Sequence, residues 1–188
     1  MARWEPGSTD RLAQAAMELF LERGYERTTV ADIAERAGLT ERTFFRHFAD
    51  KREVLFSGSH LLVELLQERV RSAADHLAPL DVVSESLQAA GELIQQRGDF
   101  AKQRQAVIAA HTDLRERELI KLATLGGAVA DALRERGVED PAAALVAQSG
   151  MAAFTLAFER WIAAPKGRDL PRHIRDAIAD LRMAVAEG

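Results

Sequence analysis

The segment TTVADIAERAGLTERTFFRHFADK, residues 28–51, predicts two short helices joined by a sharp turn. Thr29 is suited to cap the first helix, and Asp32 is placed to reach back and close a capping box. Gly38 follows the last helical position and permits the left-handed backbone that a tight turn needs. Thr40 is a suitable N-cap for the second helix. This order of elements is typical of a helix-turn-helix unit.

The outward face of the second helix carries two arginines. At about 100° per residue, Phe44 and Phe48 share one face of the helix, and the opposite face centres on Arg42 and Arg46. Guanidinium groups one turn apart suit the DNA major groove, where arginine hydrogen-bonds guanine O6 and N7 or holds a phosphate. The alternative is an ordinary helical hairpin whose arginines are simply solvated.

An amphipathic helix precedes the segment, with apolar residues at Leu12, Ala16, Leu19 and Phe20 and a stop at Gly24. Three helices can bury one small core, which favours the DNA-binding interpretation. Over roughly residues 9–56 the chain resembles the N-terminal head of TetR family transcriptional regulators. The residues that carry the resemblance are Ala16, Phe20, Gly24, Tyr25, Thr28, Thr29, Val30, Ile33, Ala34, Ala37, Gly38, Phe48 and Lys51.

The resemblance implies a set of DNA contacts: Thr29, Thr40, Arg42, Thr43, Phe45, Arg46, His47 and Lys51. In such a head Thr29 and Lys51 would touch phosphate, whereas the residues of the second helix would approach base edges or the adjoining backbone. The family usually has tyrosine where this chain has Phe45. A phenyl ring cannot donate the hydroxyl hydrogen bond to phosphate, but it offers apolar contact to a sugar or a thymine methyl.

Composition adds limits to these expectations. The formal net charge is −4, and the first 56 residues hold 9 Lys and Arg against 10 Asp and Glu, so affinity for DNA must come from the placement of basic groups. The chain has no cysteine, shows no signal-peptide pattern and has no stretch predicted to span a membrane. We expect a cytoplasmic protein with no membrane partner, and a mobile arm over residues 1–7.

Beyond residue 51 the pattern stays helical. A long connecting helix is predicted from Lys51 to Leu77, followed by helices at 81–96, 99–110, 113–136, 141–163 and 170–186. The predicted fold is all-α, with a three-helix helix-turn-helix head joined by a long helix to a C-terminal helical domain. Residues 1–50 form the expected DNA-binding domain, and residues 51–188 form the expected effector-binding and dimerisation domain.

The last two predicted helices are candidates for a homodimer interface. Small residues that permit close helix approach, and an apolar stripe on the final helix, supply the surface: Ala142, Ala143, Ala144, Ala147, Gly150, Ala152, Ala153, Ile174, Ala177, Ile178, Leu181 and Val185. The resemblance implies a four-helix interface between subunits, and twofold dimers are the commonest oligomers. The alternative is packing within one subunit.

The resemblance also implies a ligand cavity in the C-terminal domain. Candidate lining residues are Phe100, Gln103, Val107, His111, Leu122, Met151, Phe154, Thr155 and Phe158. Their apolar balance suggests a hydrophobic or amphipathic effector. An aromatic stripe at helical spacing is also the ordinary pattern of a core.

Two hypotheses from different classes follow. The first is a dimeric, ligand-responsive transcriptional regulator, usually a repressor, which binds a palindromic operator. The second is a helical small-molecule-binding protein or enzyme with no role on DNA. The sequence contains no nucleophile elbow, phosphate-binding loop or dinucleotide fingerprint, and its five histidines are scattered, so no enzyme activity, cofactor or metal site is predicted.

Overall fold

The computed structural model describes residues 7–164 and 169–186, and within these ranges it is built from helices without a strand. The helices are α1 (Ser8–Arg23), α2 (Val30–Arg36), α3 (Glu41–His47), a 3₁₀ turn (Glu53–Phe56), α4 (Ser59–Ser72), α5 (Pro79–Gln95), α6 (Gly98–Ala110), α7 (Thr112–Glu135), α8 (Ala142–Ala163) and α9 (Leu170–Ala186). The all-α prediction is confirmed. Apart from Gly7, the predicted mobile arm lies outside the described residues.

The chain divides into two compact units. In its described parts, the head unit comprises residues 7–58 and 102–118, and the body unit comprises residues 59–101, 119–164 and 169–186.

The head unit is organised around α1, which packs against α2, α3 and the 3₁₀ turn. The predicted apolar stripe of α1 is buried, and so are Ile33 from α2 and Phe44 from α3. Helix α1 ends before Gly24, which has a φ of +87°, and α2 is separated from α3 by Gly38 with a φ of +64°. These left-handed conformations favour glycine and place the helix-turn-helix as the sequence predicts.

The predicted connecting helix from Lys51 to Leu77 is shorter than expected. A 3₁₀ turn replaces its first part, and α4 begins only at Ser59. Asp50 accounts for this start, because its Oδ1 accepts the backbone N–H groups of Arg52 at 2.8 Å and Glu53 at 3.2 Å. A carboxylate that binds successive N–H groups favours a tight turn over a continuous helix.

A distant arginine explains where α4 stops. The guanidinium of Arg136 donates to the carbonyls of Arg71 at 3.2 Å, Ala73 at 2.6 Å and Ala74 at 3.1 Å. These carbonyls belong to the last turn of α4 or follow it, where helix carbonyls have no partner within the helix. Helix α4 therefore ends at Ser72, several residues before the predicted limit at Leu77.

The body unit is centred on α5, which packs against α4, α8 and α9. Gly150 of α8 lies so close to Val83 of α5 that a Cβ atom on this glycine would be 2.4 Å from Val83 Cγ1. Most residues of the predicted dimer surface are buried in this core, namely Ala143, Ala147, Gly150, Ala153, Ile174, Ala177 and Ile178. These seven residues pack within one subunit, whereas Ala142, Ala152 and Val185 of the same predicted surface are exposed.

Among the described helices, α8 is the one whose length and composition would also suit a membrane span. It is 22 residues long and carries few charged residues. Eight of its residues are buried, among them Ala147, Phe154 and Trp161 in the body core. An apolar helix of this kind is what the centre of a folded domain requires.

Candidate DNA-binding interface

Helix α3 is held in place from both ends. The hydroxyl of Thr40 accepts the backbone N–H of Thr43 at 3.2 Å, which confirms the predicted N-cap. Phe44 is fully buried, and its ring centroid lies 5.4 Å from that of Phe48, which follows the helix in an extended conformation. The two phenyl rings anchor one side of α3 in the head core and leave the opposite side in solvent.

Helix α2 has the capping box that the sequence predicts. Thr29 Oγ1 accepts the N–H of Asp32 at 3.1 Å, and Asp32 Oδ2 accepts the N–H of Thr29 at 2.9 Å. Hydrogen bonds from Thr29 hold the pKa of the Asp32 carboxyl below its usual value. Thr29 stands exposed at the N-terminus of α2, with its hydroxyl engaged in the cap.

The solvent side of α3 carries Arg42, Phe45 and Arg46, all exposed. Among the described residues Arg42 has no hydrogen-bond or ion-pair partner, and the one hydrogen-bond partner of Arg46 is His47, at 3.5 Å. Phe45 is 55% exposed, although its ring packs edge-on against Phe44 with centroids 5.5 Å apart. The face therefore presents two cationic groups with unused donors beside one apolar ring.

Two acidic side chains of the head, Glu22 and Asp50, form ion pairs with arginines outside α3. Glu22 receives two hydrogen bonds from Arg36, at 3.0 and 2.8 Å, and these bonds lower the pKa of its carboxyl. Asp50 is held by Arg52 at 2.6 Å, which likewise lowers the pKa of Asp50. The outer face of α3 carries two exposed arginines and one exposed carboxylate, Glu41, so this face is basic although the head has almost no net charge.

Two other predicted DNA contacts, His47 and Lys51, have partners inside the head. Both ring nitrogens of His47 lie near hydroxyl groups of α1, with Nε2 2.8 Å from Ser8 and Nδ1 3.3 Å from Thr9. Lys51 Nζ donates to the carbonyls of Tyr25 at 2.9 Å, Glu26 at 3.3 Å and Thr28 at 3.1 Å. An ammonium group has three donors. A phosphate contact by Lys51 would therefore require one of these bonds to be exchanged.

Residues 102–118 complete the head unit through contacts that the sequence does not signal. Arg104 Nε donates to the carbonyl of Leu55 at 2.6 Å, and its Nη1 pairs with Glu118 at 3.1 Å. Arg117 Nε lies 2.5 Å from Glu53 Oε1. Burial lowers the pKa of Arg104, whereas the hydrogen bond to Glu53 raises the pKa of Arg117. The 3₁₀ turn is thereby tied to α6 and α7.

Comparison with known proteins identifies the class. The family model for bacterial regulatory proteins of the tetR family matches residues 12–57, and the model described as the MftR C-terminal domain matches residues 77–186, more than half of the chain. This chain belongs to the TetR family. Its curated relatives are HTH-type transcriptional regulators, which favours a DNA-binding role over an enzyme.

The curated relatives match only part of this TetR family member. The regulator TcmR of Streptomyces glaucescens is 44% identical over 82 residues, which cover 43% of this chain and 35% of TcmR. TtgR of Pseudomonas putida is 40% identical over 68 residues, which cover 36% of this chain and 29% of TtgR. The matched part thus spans about a third of the length of these curated relatives.

Solved structures extend the likeness over nearly the whole chain. The TetR family repressor FadR of Thermus thermophilus, solved with lauroyl-CoA, is 28% identical, with 93% of each chain covered and a TM-score of 0.61. SmeT of Stenotrophomonas maltophilia has a TM-score of 0.66 at 20% identity, with 95% of this chain and 90% of SmeT covered, and supports the fold alone.

The candidate ligand residues of this TetR family member fall into two groups. Leu122, Met151, Phe154 and Phe158 pack together in the body core, with the rings of Phe154 and Phe158 stacked at 6.1 Å. Thr155 lies on α8, and its hydroxyl donates to the carbonyl of Met151 at 3.0 Å. Phe100 also belongs to the body unit, where its ring lies under the guanidinium of Arg97 at 4.6 Å.

The remaining candidates, Gln103, Val107 and His111, belong to the head unit. Gln103 is exposed, and Val107 is buried. The ring of His111 packs on Tyr25 with centroids 4.8 Å apart, and its Nδ1 lies 3.5 Å from Glu26. Burial and the nearby Asp113 carboxylate raise the pKa of Tyr25. His111 therefore packs against the head, at the break between α6 and α7.

Proposed function

We propose that this TetR family member is a sequence-specific, dimeric regulator of transcription, most simply a repressor, which a small and largely apolar ligand releases from a palindromic operator. The observation that supports this most directly is the outer face of α3, where Arg42 and Arg46 are exposed and have no acidic partner among the residues that the structure describes. The rest of α3 is anchored by Phe44, so the arginines are presented on a rigid support. Such a helix can enter the major groove and read bases by bidentate hydrogen bonds.

The proposal assigns separate tasks to the two ends of the chain. Residues 1–50 read DNA, with Arg42, Thr43 and Arg46 toward the bases and Thr29 toward phosphate. Residues 51–188 bind the effector and dimerise. We assign no catalytic activity, cofactor or metal, and place the protein in the bacterial cytoplasm where its operator would be.

The dimer surface is best supplied by the outward sides of α8 and α9. Leu145 and Leu156 of α8 are 63% and 41% exposed, and Met183 of α9 is 58% exposed. Arg160 and Asp180 join these two helices by an ion pair at 3.1 Å. Exposed apolar side chains near paired charges suit an interface with an apolar centre and a polar rim. Two heads joined in this way would bind half-sites about one helical turn apart.

An apolar effector is supported by the composition of the body core. The aromatic series Phe154, Phe158 and Trp161 lies along α8, with the last two rings 5.7 Å apart. A relative of similar length at 28% identity, FadR, was solved with lauroyl-CoA, which carries a long apolar acyl chain. We therefore propose an acyl chain or another apolar body as the part of the effector that the body unit recognises.

Selection from random duplex DNA tests the DNA-binding role. Purified protein should enrich a palindrome, and Arg42→Ala should weaken binding to it by about 1 to 3 kcal/mol at the recognised base. Arg69→Ala, which removes an exposed arginine from α4 of the body unit, is the matched control and should leave the affinity unchanged. A folded protein that enriches no sequence would contradict the proposal and support the small-molecule-binding alternative.

Release of the selected operator tests the effector. Lauroyl-CoA, free fatty acids of several chain lengths and triclosan are added to the protein–operator complex, and release is followed by fluorescence anisotropy. Coenzyme A without an acyl chain controls for nucleotide binding. Release that grows with acyl-chain length supports an apolar effector, whereas no release by any apolar compound argues against ligand-controlled repression.

A further inference from the structure

Phe45 is an exposed apolar residue of α3, and the proposed arginine contacts with DNA do not involve it. Its side chain is 55% exposed. It follows Arg42 by three residues, so the two side chains are neighbours on the helix surface. A phenyl ring beside a base-reading arginine must face part of the duplex when α3 lies in the groove. What it faces is decided by its rigidity, its chemistry and its charged neighbours.

The ring is held in one orientation before any partner binds. Its centroid lies 5.5 Å from that of Phe44, and the two ring planes meet at 81°. Phe44 is itself fully buried and is fixed by Phe48, whose backbone N–H donates to the Phe44 carbonyl at 2.9 Å. A side chain ordered in advance loses little conformational freedom on binding, so even a small contact contributes to affinity.

The chemistry of the major groove offers one apolar group at a base edge, the C5-methyl of thymine. Deoxyribose in the backbone is the competing apolar surface. Glu41 distinguishes the two, because it lies one helical turn before Phe45 on the same side of α3 and is exposed. A carboxylate at this edge repels the phosphates that flank every sugar, whereas the base edge carries no net charge.

We propose that Phe45 packs on the C5-methyl group of a thymine in each operator half-site and so determines the base preferred beside the one that Arg42 reads. This inference rests on the proposed function. It assigns Phe45 a role in specificity, because a phenyl ring has no donor for a hydrogen bond to phosphate. The predicted partner is one methyl group, which can be removed chemically without changing base pairing.

The test replaces each thymine of the selected operator by deoxyuridine, one position at a time, which removes only the methyl group. Each half-site should contain one sensitive position. Replacement at that position in one half-site should weaken binding by the wild-type protein about fourfold, the value expected for losing one buried methyl at about 0.8 kcal/mol. Replacement in both half-sites should weaken binding about 15-fold. Thymines elsewhere in the same duplex are the internal control.

Protein variants assign the effect to the ring. Phe45→Ala should bind the thymine and deoxyuridine operators equally, whereas Phe45→Leu should keep part of the preference. Because Phe45 is exposed, both variants should fold, and their circular dichroism and melting temperature verify this. A cytosine at the sensitive position should bind more weakly than thymine, and 5-methylcytosine should recover the part of the affinity that the methyl supplies.

Each outcome gives a decision. Operator binding with no sensitivity to deoxyuridine at any position overturns the assignment and leaves the DNA-binding function in place. Phe45→Ala that binds more weakly but keeps the deoxyuridine effect also overturns it, and would place the ring on a sugar. An operator without thymine in its half-sites contradicts the proposal as well. Failure of folded wild-type protein to bind any duplex refutes the DNA-binding function itself.

Discussion

Replacing Gly150 by alanine is expected to destabilise the protein, whereas replacing Gly127 by alanine is expected to stabilise it. Both glycines lie inside helices, Gly150 in α8 and Gly127 in α7. A Cβ at position 150 would lie 2.4 Å from Val83 Cγ1 and 3.4 Å from Leu87 Cδ1, whereas a Cβ at position 127 has no neighbour within 4 Å. The pair therefore separates crowding from helix propensity.

The magnitudes follow from these distances. Alanine is more favourable than glycine in a helix interior by about 1 kcal/mol, which is the expected gain for Gly127→Ala. At position 150 the same gain is opposed by overpacking, which typically costs about 1 to 3 kcal/mol. Val83 is buried and β-branched, so its side chain cannot turn away easily, and the upper value applies. We expect a net loss of about 2 kcal/mol for Gly150→Ala.

Thermal unfolding followed by circular dichroism measures both effects. For a chain of 188 residues, 1 kcal/mol changes the melting temperature by about 2 to 4 °C. Gly150→Ala should therefore melt about 4 to 8 °C below the wild type, and Gly127→Ala about 2 to 4 °C above it. All three proteins must be compared at equal concentration, since the melting temperature of a dimer would depend on concentration.

Two results would refute the reasoning. A Gly150→Ala variant as stable as Gly127→Ala would mean that α8 and α5 are not in close contact at this point. The second result is a Gly150→Ala variant with the wild-type melting temperature but a higher dissociation constant for a dimer in analytical ultracentrifugation. It would place Gly150 in a subunit interface. That outcome would restore the interpretation of the small-residue stripe as a dimer surface.

Three further predictions concern the head. Phe48→Ala should lower its stability by about 3 to 5 kcal/mol, because a buried phenyl is lost, and wild-type melting behaviour would remove Phe48 from the core. Lys51→Met should cost about 2 kcal/mol by leaving three loop carbonyls without their charged donor, measured as faster amide exchange in the loop before α2; unchanged exchange would contradict this role. Asp50 has a lowered pKa owing to Arg52, so its carboxylate stabilises the fold above the unfolded pKa of about 3.9 and ceases to do so as pH falls through the lower folded pKa. The urea midpoint of the wild type should thus fall more steeply than that of Asp50→Asn below about pH 4, and parallel curves would exclude this contribution.

Local features of the head could be predicted from sequence because their partners are only a few residues apart. Thr29 and Asp32 close their capping box across three residues. Thr40 caps α3 by accepting the N–H of Thr43, also three residues away. Gly38 needs no distant partner to adopt its φ of +64°. The exposure of Arg42 and Arg46 follows from the helical period once Phe44 faces the core.

The start and end of α4 could not be predicted from its own residues. Arg136 binds carbonyls at the end of α4 from more than 60 positions away, and no local pattern indicates such a pairing. Asp50 competes with the helix through its side chain, which the apolar periodicity does not register. The roles of His47 and Lys51 likewise depend on groups in α1 and the following loop.

The sequence by itself determined the all-α class, the helix-turn-helix and the arginine face, because helix caps, glycine turns and the 3.6-residue period act over short distances. Only the tertiary structure decided which apolar faces meet. The small residues of α8 suit contact with a second subunit or with a neighbouring helix equally well, since each needs the same close approach. The structure places α5 against Gly150 and leaves Leu145 and Leu156 exposed.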